Sequence, residues 1–355
     1  MHASRIALIA AVAASVFAGS AAEAADSKPN IVIVATGGTI AGSAKSETEA
    51  GYKAGAVAVD TLLEAVPQLS NLANVRGVQV ASIGSQDMND EVWITLANTV
   101  NDLLDSKGVD GVVITHGTDT MEETSYFLNL VVDSEKPVVL TGSMRPSTAM
   151  SADGPLNIYN AVAVAADRRA RERGVLVAVN DDIHAARDIT KTHTTDVETF
   201  RSNEPGLVGG SLFGTQVFFR KPTAPHTEDS AFAGKIKGPL PRVDIIYAHA
   251  SMSPDLIDAA VANGAKGLVI AGVGDGNMTT PAIEAVKRAV AKGVAVVRAS
   301  RVGAGIVRRN VEVSDDQLGT IASMELNPSK ARVLLKLALT KTGDSRKIQA
   351  YFDRY

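Results

Sequence analysis

The chain predicts an α/β fold, with a large N-terminal domain whose mostly parallel sheet is covered by helices and a smaller C-terminal α/β domain. Short β-branched runs alternate with amphipathic segments along most of its length. The early runs, Ile31-Val32-Ile33-Val34-Ala35 and Val112-Val113-Ile114, are apolar at consecutive positions, which marks strands buried on both faces. A polar, proline-rich stretch over 221–241 then breaks the alternation before it resumes, which predicts a link between two units.

The first residues read as an address. Arg5 supplies a positive start, Ile6 to Gly19 is almost wholly apolar, and Ala22-Glu23-Ala24 is a small-residue cleavage site, so residues 1–24 are expected to be a signal peptide cut after Ala24. The apolar part is too short for a permanent membrane span, and no later stretch reaches the ~18 apolar residues that spanning needs. The mature chain is therefore expected to be exported without a membrane anchor, with domains at 25–220 and 242–355 around the linker 221–241.

Within the first domain the runs 31–36, 77–83, 111–115, 137–141 and 175–179 read as strands, and 89–106, 120–132 and 155–168 as helices. Over 89–106, Trp93, Leu96, Val100, Leu103 and Leu104 recur three or four apart and line one helical face. Thr120 and Glu123 form a T-x-x-E capping box, which predicts a helix opening at Thr120 and leaves Thr118 and Asp119 in the turn before it. After the linker, strands are expected at Val243 to Tyr247, Gly267 to Ala271 and Val294 to Val297, and helices at Pro254 to Asn263 and 281–291. Asn327-Pro328 opens a last helix through Thr340, since proline in a first turn sacrifices no hydrogen bond.

Composition closes several doors. The formal net charge of -4 and pI near 5.9 do not point to nucleic acid. There is no cysteine, so neither disulfides nor cysteine-based catalysis is available. The six histidines show no clustered ligand spacing, His116 reads as a polar core or turn residue, and no metal or cofactor is implied. H-E-x-x-H, G-x-S-x-G and Walker A patterns are absent from the sequence.

What remains is a set of hydroxyls at strand ends. Ile31 to Thr36 runs into Gly37-Gly38-Thr39, and Val112 to Thr115 runs into His116-Gly117-Thr118-Asp119. Open parallel sheets bind ligands at the carboxyl ends of their strands, so two such ends, each offering a threonine, predict one shared site. A threonine hydroxyl is a poor nucleophile until something takes its proton. Lys191, in Thr190-Lys191-Thr192, is a candidate partner, because a buried lysine amine can accept that proton while Asp119 tempers the effect; standing alone it reads as a solvated surface cation.

The segments Thr36-Gly37-Gly38-Thr39-Ile40-Ala41-Gly42, His116-Gly117-Thr118-Asp119-Thr120 and Thr190-Lys191-Thr192 resemble the three motifs of bacterial type II L-asparaginases. The likeness extends through Ile83-Gly84-Ser85-Gln86-Asp87-Met88-Asn89-Asp90 and Leu326-Asn327-Pro328-Ser329-Lys330-Ala331-Arg332, and so covers nearly all of the mature chain. It implies periplasmic hydrolysis of a side-chain amide to a carboxylate and ammonia through a threonine-linked acyl-enzyme, without a cofactor. By motif match Thr39 is the nucleophile, Tyr52 assists it from a mobile loop, and Thr118, Asp119 and Lys191 form the second catalytic group. Spacing alone does not say which threonine attacks first.

A free amino acid is a zwitterion, which suits Asp119 as partner of its ammonium and Ser85 and Gln86 as donors to its carboxylate. Backbone N–H groups of the Gly117–Asp119 turn are candidates for the oxyanion, each such donor being worth ~2.7–4 kcal/mol. Residues 43–58, small, polar and punctuated by glycine, suit a lid. The resemblance also assigns Asn277 and Glu312 to substrate binding from a neighbouring subunit, which requires at least a dimer, and it implies the homotetramer usual in the family, with sites at subunit interfaces. Asp275 stands where some relatives carry asparagine, and the Val313-Ser314-Asp315-Asp316 run is one residue longer than in some.

Asparagine is the expected main substrate, with secondary glutaminase activity. Val273 to Asn277 looks like asparagine-preferring members, whereas Arg308-Arg309-Asn310-Val311-Glu312 resembles the glutaminase-asparaginases. The alternatives are an enzyme with equal or greater glutamine activity and an exported, non-catalytic amino-acid-binding protein. The latter would need neither Lys191 beside Thr118 nor a threonine-bearing glycine turn.

Overall fold

The structure, a computed structural model, describes residues 28–44, 46, 52, 53, 55 and 58–355. The expected signal peptide, 1–24, lies outside the described residues, as does most of the expected lid, 43–58.

Strands β1 (Asn30–Gly37), β4 (Asn74–Ile83), β5 (Gly111–Thr115), β6 (Val138–Thr141) and β7 (Val175–Val179) pair in parallel, and a short hairpin of β2 (Ser43–Ala44) and β3 (Tyr52–Lys53) follows β1. Three further strands, β8 (Asp182–Ala185), β11 (Gly209–Leu212) and β12 (Thr215–Phe218), extend one edge antiparallel, while β9 (Ile189–Lys191) and β10 (Phe200–Ser202) form a separate ribbon. The sheet order is β12-β11-β8-β7-β6-β5-β1-β4. The helices of this half are α1 (Val59–Glu64), α2 (Leu69–Leu72), α3 (Asp90–Asp105), α4 (Met121–Val131) and α5 (Gly154–Ala166).

The expected double burial has a direct cause. Alternate residues of each central strand face opposite layers. Val32, Val34, Val112 and Ile114 join Trp93, Leu96 and Phe127 in one core, and Ile31, Ile33, Val113 and Val139 pack with Ile158, Ala161 and Val162 of α5 in another. Trp93 stacks on Phe127 at 4.9 Å and donates its indole N–H to Thr124 at 2.9 Å.

The antiparallel strands between 182 and 218 escaped the sequence reading. They are three or four residues long, too short to display a period, and β7 turns into β8 through Asn180 and Asp181, both at positive φ. The T-x-x-E expectation also needs correction. Helix α4 starts at Met121, but Thr120 makes no side-chain cap; its hydroxyl donates instead to the Ser85 carbonyl at 2.7 Å, and Glu123 pairs with Arg332.

The second half carries a four-stranded parallel sheet, β13 (Val243–Tyr247), β14 (Gly267–Gly272), β15 (Ala295–Ser300) and β16 (Ile321–Ala322), with helices α6 (Asp255–Ala262), α7 (Thr280–Ala291) and α8 (Asp315–Leu318). Helix α9 (Pro328–Leu339) opens where Asn327-Pro328 predicted, with the Asn327 side chain accepting from the Lys330 N–H at 2.9 Å. It is not the last helix, because α10 (Ser345–Phe352) follows it, capped by Asp344. Residues of α9 belong to the same core as α4 and β5, so one apolar interior runs through both sheets.

Candidate active site

The strand order places the site. Strands β4 and β5 lie on opposite sides of β1, so the chain leaves β1 toward one edge and returns on the other. Such a switch point opens a crevice at the strand ends, where successive connections diverge. Thr39 follows β1, Ser85 and Gln86 follow β4, and Thr118 and Asp119 follow β5: the predicted residues stand on the three neighbouring strand ends flanking that crevice.

Glycines bring the ends together. Gly38 has φ of 83°, and a Cβ there would lie 2.3 Å from the Gly117 nitrogen; a Cβ on Gly117 would lie 2.5 Å from the Ser85 hydroxyl. Only bare backbone allows this approach. Thr39 then opens a short 3-10 turn and is 5% exposed; Thr118 is 6% exposed. Two shielded threonines thus sit on turns in contact with each other.

Ser85 joins the second turn by accepting from the Asp119 N–H at 3.2 Å, which leaves its hydroxyl proton for a ligand. That contact narrows the oxyanion expectation, because the Asp119 amide is already occupied and only the Gly117 and Thr118 amides of the turn are left as candidates. Gln86 is exposed at the crevice rim, within 3.4 Å of Asp87.

Lys191 arrives from far along the chain. On β9 it reaches across to donate to the Thr118 hydroxyl at 2.9 Å and to pair with Asp119 at 2.7 Å. The lysine side chain is 17% exposed, whereas the Asp119 carboxylate is 59% exposed and accessible to a second cation. Hydroxyl, amine and carboxylate thus stand in contact in this order, with the carboxylate end open to a ligand.

Burial holds His116 neutral, its pKa lowered to about 4, with only the bond between Nδ1 and the Gly117 carbonyl at 2.6 Å opposing the effect. It stiffens the turn as a core residue, in line with its reading from sequence.

Tyr52 lies on β3, where its backbone pairs with Ala44, and the Gly55 N–H donates to the Gly38 carbonyl at 3.1 Å. The loop therefore returns to the turn that carries Thr39; the Tyr52 side chain itself lies outside what the structure describes. Asn277 and Glu312 are carried by the other sheet. Asn277 bridges Val273 through paired backbone bonds of 2.8 Å, and Glu312 is exposed on the turn before α8. Asp275, the departure noted from sequence, holds Arg308 at 2.8 Å and so ties these two loops together.

A cavity of about 620 Å³ between the two sheets, lined by Arg187, Thr190, Asn203, Val302, Met324 and Asn327 among others, takes in none of the predicted catalytic or substrate-binding residues. Sequence reasoning left unassigned the residues behind the site, Glu122, Asn327 and Lys330; the signal for the last two was the Leu326 to Arg332 segment, which carried no role by itself, and Glu122 had none.

Comparison with known proteins gives the family. The family model described as Asparaginase, N-terminal, matches residues 30–224, and that of the Glutaminase/Asparaginase C-terminal domain matches 242–352. L-asparaginase 2 of Escherichia coli is 52% identical, with 92% of this chain and 93% of that protein covered. The glutaminase-asparaginase of Acinetobacter glutaminasificans is 49% identical over 92% of this chain and 100% of its own length. Among solved structures, a probable cytoplasmic L-asparaginase from Campylobacter jejuni has a TM-score of 0.90 and 48% identity, covering 92% of this chain and 100% of that one. With both halves matched and the strand-end hydroxyls gathered at one crevice, the chain belongs to the asparaginase/glutaminase family.

Proposed function

We propose that this protein hydrolyses the side-chain amide of L-asparagine to L-aspartate and ammonia, with secondary action on L-glutamine. The single observation that carries the reading is the Lys191 amine held between the Thr118 hydroxyl and the Asp119 carboxylate beside the Thr39 turn. An amino-acid-binding protein has no use for a proton path of that kind.

In this mechanism Asp119 receives the substrate ammonium, and Ser85 with Gln86 receives its carboxylate. The Thr39 oxygen attacks the amide carbon, its proton passes through Tyr52 to the amide nitrogen, and the C–N bond breaks to release ammonia as the acyl-enzyme forms. Water then adds to the acyl carbon, its proton relayed through Thr118 and Lys191, and the acyl C–O bond breaks to release aspartate as the Thr39 oxygen regains a proton. Asn277 and Glu312, on loops of the other sheet, complete the ammonium site from a second subunit, which requires at least a dimer, and the family's usual homotetramer is the assembly proposed. Residues 1–24 direct export to the periplasm, a reading supported by 52% identity to a protein of Haemophilus influenzae named as a probable periplasmic L-asparaginase.

Ammonia release from each amide tests the proposal. Thr39→Ala is expected to abolish turnover, and Thr118→Val to lower kcat by roughly 10²–10⁴-fold, the range for loss of a positioned proton-transfer group. Full turnover in either variant overturns the mechanism. Glu312→Ala is expected to raise KM with little effect on kcat, and sedimentation is expected to show four chains. A second reading, equal or greater activity on glutamine, is favoured by the Arg308 to Glu312 segment; one methylene is worth only ~1–3 kcal/mol, so the ratio of kcat/KM for the two amides decides it.

A further inference from the structure

The segment Leu326 to Arg332 is unused by the chemistry above, yet it places a charge in the interior. Lys330 has a side chain 3% exposed. Its ammonium donates to the Ile189 carbonyl and lies 3.4 Å from the Thr190 hydroxyl and 3.7 Å from a Glu122 oxygen. Asn327, one turn earlier, places its amide 3.3 Å from that Glu122 oxygen and 3.3 Å from that Thr190 hydroxyl. The start of α9 therefore grips two elements at once.

Those elements are the ones whose separation the reaction depends on. Glu122 belongs to the first turn of α4, which the chain enters through Thr118 and Asp119; Thr190 precedes Lys191 on β9. Successive strand side chains point to opposite faces, so with Thr190 held toward α9, Lys191 is directed away from it, toward Thr118. A buried ammonium is expensive, and an apolar replacement of such a pair is often at least as stable. Stability alone gives little reason to keep one here.

We propose that Lys330, together with Asn327, is a positioning residue: it locks β9 against the first turn of α4 and thereby sets the Lys191 amine between Thr118 and Asp119. The inference rests on Lys191 and Thr118 handling the proton. Misplacement of a reacting group by about 1 Å can cost ~10²-fold in rate, so loosening this lock should act on turnover before binding.

The test measures kcat, KM and folding of the full chain on asparagine for wild type, Lys330→Met, Asn327→Ala and Lys336→Met. Lys336 is the control, a cation on the same helix, 4% exposed, whose hydrogen bonds go to Asp90 on α3. Folded Lys330→Met is expected to lose at least about fivefold in kcat, more than any rise in KM, while Lys336→Met loses stability and keeps its kcat. A smaller loss in folded Lys330→Met, a loss confined to KM, or an equal loss in Lys336→Met overturns the proposal. Should Lys330→Met not fold, Asn327→Ala is held to the same criteria. Turnover by wild type and its collapse in Lys191→Met test the functional reading separately.

Discussion

At the scale of single residues the site is made possible by absent side chains. Gly38 sits at φ of 83° with the Gly117 nitrogen where its Cβ would be. Gly38→Ala therefore requires backbone movement as well as a strained conformation, expected to cost ~1–3 kcal/mol and to separate the two threonine turns. Chemical denaturation should show the loss, and ammonia release should fall further than stability explains. Thr120 teaches a related lesson, because its hydroxyl was spent on the Ser85 carbonyl instead of on its own helix. A capping signature in sequence cannot show that a neighbouring strand end offers the hydroxyl another acceptor.

At the scale of elements, the loops bearing Asn277 and Glu312 hang on one buried pair. Arg298 and Asp315, 1% and 0% exposed, meet through two bonds of 2.7 and 2.8 Å. The same guanidinium reaches the carbonyls of Asp275, Gly276 and Arg308, while Asp315 also accepts from the Asn310 N–H at 2.8 Å. Burial works against the Asp315 charge, but the hydrogen bonds from Arg298, Thr320 and Asn310 hold its pKa below the usual carboxylate value. Asp315→Ala leaves Arg298 buried and unpaired, which typically costs ~3–5 kcal/mol. Thermal unfolding should shift accordingly, with KM for asparagine rising as the two loops lose their common anchor.

At the scale of the whole molecule, buried histidines make the fold sensitive to acid. His116 and His184 both have pKa values lowered from 6.5 to about 4, chiefly by burial. In the unfolded chain they take up protons near 6.5, while in the folded chain they stay neutral until about 4. The unfolded state thus binds more protons in that window, and stability falls as pH drops through it, by roughly 2 kcal/mol per histidine at pH 5. Urea unfolding at pH 7 and pH 5 checks the sign, and His184→Asn should flatten the dependence.

Much of this organisation was legible in the sequence. Consecutive apolar residues in β1, β5, β6 and β7 marked a doubly covered sheet, and α3 and α9 announced themselves by period and by Asn-Pro, because burial and helix entry leave local patterns. The threonine turns and Thr190-Lys191-Thr192 stood out for another reason, their resemblance to family motifs, since each alone reads as an ordinary turn or surface cation. Tertiary structure decided what no local pattern encodes: that β1 lies between β4 and β5, that Lys191 closes a span of 73 residues onto Thr118, and that Lys330 backs β9 from the opposite domain. Short antiparallel strands and α10 were missed because their stability comes from neighbours distant in sequence. Residue type and period declare which face is apolar and which turn carries a hydroxyl, but meeting across the fold is a property of packing.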